Sequence, residues 1–132
     1  MNKRITFITA TFFSFILWII YMADSGQGTV FFDFVKSIPL GDKIGHIFLF
    51  GLLTLGVNSS TQLKRVHVGS LHILGGTLMV SLFVLIEEGS QHFFSTRTMD
   101  IADLTADAIG ITLFTVASCI IDTKYSSEHR GY

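Results

Sequence analysis

Two short polar stretches carry most of the chemistry this chain offers. Residues 41–46 (GDKIGH) open one apolar run, and residues 87–110 (EEGSQHFFSTRTMDIADLTADAIG) lie between two others. On a helix, residues three and four apart share a face. Asp42 then stands over His46, Glu87 over Gln91 and Glu88 over His92, while Asp100, Asp103, Asp107 and Gly110 form one stripe. Such a set can hold a polar ligand. Lys43 and Arg97 would take anionic oxygens; Asp42, His46, Glu88, Gln91, Asp103 and Asp107 would complete and orient the binding surface. Glu88 and His46 are also the candidates for a catalytic general base. Each group has a plainer reading as well: Asp42 and Asp100 as helix caps, Arg97 as a headgroup anchor.

Asp42, His46, Glu88, His92, Asp103 and Asp107 offer oxygen and nitrogen donors of the kind metals use. No zinc spacing such as H-E-x-x-H occurs, so neither a metal nor a cofactor is expected. No Ser or Cys stands beside a His in a recognisable nucleophile arrangement. The single Cys119 lies in an apolar run and excludes an intrachain disulfide.

The elements that must position these groups are apolar. In 132 residues, 49% are hydrophobic and 14% charged, and the mean hydropathy is +0.57; soluble domains carry about 25% charged residues. A chain this short cannot hide so much apolar surface from water. A net charge of −1 also argues against a nucleic-acid partner, which calls for a basic patch. Four long apolar runs predict an all-α, four-helix transmembrane bundle, a single domain with spans near residues 5–23, 42–60, 68–88 and 101–121. The first follows Lys3 and Arg4 and is too long for a signal peptide's apolar core of about 7–15 residues. Residues 30–35 (VFFDFV) are too few to span and suit the headgroup layer. Residues 122–132 read as a polar tail.

Orientation follows from Lys and Arg. With both termini cytoplasmic, Lys3, Arg4, Lys64, Arg65, Lys124 and Arg130 lie inside, against Lys36, Lys43 and Arg97 outside. Both polar stretches then meet near the outer leaflet. Asp107 falls roughly 6 Å deeper than Asp103, where an idle carboxylate is expensive and a partner is expected. Ala102, Ala106 and Gly110 recur every four residues, a small-residue seam through which a homo-oligomer can form.

The order and spacing of these residues, Asp42-Lys43-x-x-His46-x-x-x-Phe50, Glu88-x-x-Gln91, Arg97-x-x-Asp100-x-x-Asp103 and Gly110, resembles the VanZ-like family of small bacterial membrane proteins. That family usually has Asn where this chain has Asp107. The resemblance implies a multi-pass protein of the bacterial inner membrane with a cell-envelope role, in a family linked to resistance to the glycopeptide teicoplanin; it supplies no catalytic assignment. Three functions remain open: a binder of a membrane lipid or lipid-linked wall precursor, an enzyme acting on one, and a structural or assembly subunit whose polar residues brace the bundle.

Overall fold

The computed structural model describes residues 2–26, 30–93 and 100–129. They form five helices and one hairpin: α1 (Lys3–Asp24), α2 (Val30–Ser37), α3 (Gly41–Ser60), β1 (Arg65–Val68), β2 (Leu71–Leu74), α4 (Gly75–Ser90) and α5 (Ile101–His129), with a 3-10 turn at Gln91–Phe93 after α4. The fold is therefore mostly helical, as the apolar runs predict.

α3 is the hub. It packs against α1, α2, α4 and, most extensively, α5. Ile16 of α1, Phe50 and Leu53 of α3, Val80 and Val84 of α4 and Ile111 of α5 form the buried core. Phe83 meets Phe13 edge-on with ring centroids 5.3 Å apart. The partners of Ser60 and Thr9 at one end, and of Ile20 with His46 around one cavity at the other, make α1 antiparallel to α3. α5 runs parallel to α3, and Gly110 is the reason the two come so close: a Cβ there would collide with the Ile47 backbone, and one on Gly51 would strike the Phe114 ring. Small residues permit such approaches where packing, not water exclusion, drives association.

Two helices, α1 and Ile101–Lys124 of α5, are long and apolar enough to cross a membrane. Only 6% of the apolar window in α1 and 28% of that in α5 is buried. Phe7, Trp18, Tyr21, Leu82, Leu85, Leu113 and Ile120 all stand exposed.

The span expected over residues 68–88 is corrected. Residues 65–74 form an antiparallel hairpin in which Val68 pairs with Leu71 and Arg65 with Leu74. Val66 and Val68 alternate with polar residues, and Gly69, at φ 62°, turns the chain. α4 is left with 16 residues, about 24 Å at 1.5 Å per residue, short of a hydrocarbon layer of about 30 Å. Apolar content alone does not separate a β-branched hairpin from a helix; periodicity does. The polar tail is corrected too. α5 continues to His129 because nothing between Asp122 and Glu128 breaks a helix.

Candidate functional site

The starts of α3 and α5, the end of α4 and the end of α1 all lie at one end of the bundle. The shared parallel course of α3 and α5 sets two positive helix termini side by side, where acids are stabilised. Asp42 sits in the first turn of α3 and Asp103 in that of α5. Asp100 caps α5, its Oδ1 accepting from the Ala102 amide at 2.8 Å, as capping predicts. Asp42 does not cap α3. That position belongs to Leu40, in the left-handed region at φ 57°, with no side-chain cap.

Lys43 gathers the acids. Its Nζ donates to Asp100 Oδ2 at 2.8 Å and Asp42 Oδ2 at 3.1 Å, and also to Asp103 Oδ1. First the Lys43 ammonium and then the Ala102 amide hold the Asp100 carboxyl below the ordinary carboxylate range. One turn further along α3, His46 Nδ1 lies 2.7 Å from Asp107 Oδ1. Just past the end of α4, the buried Gln91 Nε2 donates to both oxygens of Glu87, at 3.1 and 3.0 Å, the pair that spacing predicted.

Glu88 and Asp107 differ from the other acids. They are 2% and 0% exposed, yet among the described residues both Glu88 oxygens and Asp107 Oδ2 have no hydrogen-bond partner. Helix-end electrostatics does not explain them either. Glu88 stands at the C-terminal end of α4, where negative charge is disfavoured. Asp107 lies beyond the first turn of α5. A buried polar group left unpaired costs about 1–3 kcal/mol, more when charged, so these oxygens point to something that satisfies them.

Of the predicted binding residues, Lys43, His46, Glu88, Gln91, Asp103 and Asp107 are at least partly buried at this end, while Asp42 is exposed. Lys43, not Asp42, shares the inward face with His46. His92, expected beneath Glu88, is exposed, its ring beside Phe93. Arg97 lies outside the described residues. A cavity of about 120 Å³ reaches the cluster, lined by Ile16, Ile20, Phe32, Phe50, His46 and Glu87 among others. Larger grooves along α1, such as the one lined by Phe13, Leu53 and Met79, carry no ionisable group.

A polar ladder at the opposite end had no counterpart in the sequence reading. Asn58 Oδ1 accepts from the Thr77 amide and Asn58 Nδ2 donates to Thr77 Oγ1, each at 3.0 Å. Thr77 Oγ1 lies 2.7 Å from Thr115 Oγ1. The ladder ties α3, α4 and α5, and the one signal for it was a fully polar amide closing an apolar run. The small-residue seam is largely spent within the chain: Ala106 and Gly110 are buried, Gly110 against α3, and Ala102 alone is exposed.

Fold and site together describe a helical bundle with an apolar exterior, two membrane-length helices and one acidic, partly buried end. Comparison with family models, curated proteins and solved structures found no match.

Proposed function

We propose that the chain is a multi-pass protein of the bacterial inner membrane, resembling the VanZ-like family, whose polar pocket under the outer surface binds the headgroup of a membrane lipid or lipid-linked wall precursor. α1, α3, α4 and α5 cross the bilayer with both termini inside, and α2 lies in the outer headgroup layer. α4 is short for a span, so the 3-10 turn and tilt of its neighbours make up the depth. The observation that carries the reading is the set of buried carboxylate oxygens of Glu88 and Asp107 that have no partner among the described residues. Lys43 already holds three carboxylates, so its part in the notional capture of an anion passes to bracing. The ligand is then one that brings positive charge or hydroxyl and amide donors.

The test has two arms. In a chain whose Cys119 is replaced, a membrane-impermeant thiol reagent should label S37C but not K64C in intact cells; the reverse pattern refutes the orientation. Purified protein in lipid should retain a labelled headgroup or wall precursor, and E88Q should lose it while keeping its helical content. Retention by E88Q equal to the parent would overturn the binding role. The alternative, an assembly subunit with a structural brace, is favoured by the Lys43 ion pairs and the Asn58–Thr77–Thr115 ladder. It expects E88Q to vanish from the membrane instead of losing the ligand alone.

A further inference from the structure

Three side chains from three different helices meet at the polar end of the bundle. His46 of α3, Glu88 of α4 and Asp107 of α5 each offer a ligand atom, all lying within 4.8 Å of one another. Ligand atoms held about 2.0–2.2 Å from one ion in a tetrahedral arrangement stand roughly 3.4 Å apart. The trio therefore needs to draw in by at most an ångström or so, within the reach of a glutamate and an aspartate rotamer.

The geometry points to a divalent transition-metal site formed by His46, Glu88 and Asp107. The unsatisfied oxygens are the second, independent observation: among the described residues, both of Glu88 and Oδ2 of Asp107 are buried without a partner, a state that a cation resolves and that a purely bracing cluster has no reason to keep. Among the described residues, the neighbouring polar groups already have partners of their own. Lys43 is engaged by Asp42, Asp100 and Asp103, and Gln91 occupies Glu87. One imidazole with two carboxylates is a mixed donor set, suited to Zn²⁺ or Mn²⁺ more than to Ca²⁺, which takes six to eight oxygens. Three protein ligands leave coordination positions open, as in sites that engage a substrate. What fills them rests on the headgroup reading above, where a hydroxyl or phosphate oxygen of the ligand would serve; the ion itself does not depend on that reading. The ligands come from separate helices, which is why no local zinc spacing announces them.

The experiment uses the full chain, purified in detergent or lipid discs, stripped with chelator and titrated with Mn²⁺ alone or Zn²⁺ alone. About one ion per chain should bind, and E88Q and D107N should each weaken it by roughly the 10–100-fold that even outer-shell losses cause, or more. D100N, outside the trio, should bind as the parent does. Unchanged affinity in E88Q and D107N, or no stoichiometric binding of either ion, overturns the site. Should either variant fail to fold, the parent loaded with Mn²⁺ decides: electron spin-echo spectra should carry the nitrogen coupling of one imidazole, lost in H46Q, and its absence from the parent refutes the assignment. Metal binding without headgroup binding would leave this site standing and remove only the lipid reading.

Discussion

His46 of α3 and Asp107 of α5 lie 2.7 Å apart, Nδ1 to Oδ1, across 61 residues of chain. Their pairing belongs to a regular series along the parallel helices, in which Lys43 meets Asp103, His46 meets Asp107, and Ile47 meets Gly110. Removing one partner of a buried pair leaves the other uncompensated, at about 3–5 kcal/mol. H46A should therefore lower thermal stability in detergent by that order. D107N keeps an oxygen toward His46, so it should lose far less. Equal losses in the two variants would show that the contact contributes nothing specific.

Gly110 sets how closely the two helices approach. Any side chain there meets the Ile47 backbone, which has no rotamer to yield. G110V should destabilise by about 1–3 kcal/mol or more through overpacking, while A102V, at an exposed position of the same stripe, should stay within about 0.5 kcal/mol. Thermal melts of both variants decide it. A large loss from A102V would instead mean that the outer part of the seam packs against a second copy.

Asp100 gives the bundle a pH dependence of known sign. Lys43, itself shared with Asp42 and Asp103, holds the Asp100 carboxyl below the ordinary carboxylate range. A carboxyl depressed in the folded state binds its proton more readily when unfolded, so stability is gained as pH rises. The contribution is full above about pH 4 to 5, the unfolded range, and disappears as pH falls through the lower folded value. D100N retains a capping side chain without the charge. Its stability deficit should be constant at neutral pH and shrink toward zero in acid; a deficit that persists unchanged at pH 2 would assign it to capping instead.

The sequence made the polar end legible because charges are costly in an apolar chain, and the i, i+4 spacing of Glu87 and Gln91 and the register of Asp100, Asp103 and Asp107 follow from helical geometry. Two things were not legible. The third apolar run conceals the hairpin of residues 65–74, since hydropathy averaged over a window erases the alternation of Val66 and Val68. Which of two neighbouring residues faces inward was read wrongly: spacing stands Asp42 over His46, but Lys43, about 100° of helix rotation away, is the one that packing against α5 selects. The same limit hid the meeting of His46, Glu88 and Asp107, whose proximity depends on how three helices dock.

Asn58 supplies a cap across helices instead of within one. α4 begins after Leu74, which has no side-chain oxygen to offer, and the Thr77 amide would be left without a partner in its first turn. The buried Asn58 of α3 accepts from that amide and donates to the Thr77 hydroxyl. Asn58 is 0% exposed, so water cannot replace it. N58L should therefore cost about 1–3 kcal/mol, and T77V less, because it keeps the amide bond. In the double variant the hydroxyl bond is already gone, so the two losses should sum to more than the measured total, with a coupling of about 0.5 kcal/mol or above. Strict additivity in thermal melts would mean that Asn58 and Thr77 act independently, and the cap would then have to be assigned elsewhere.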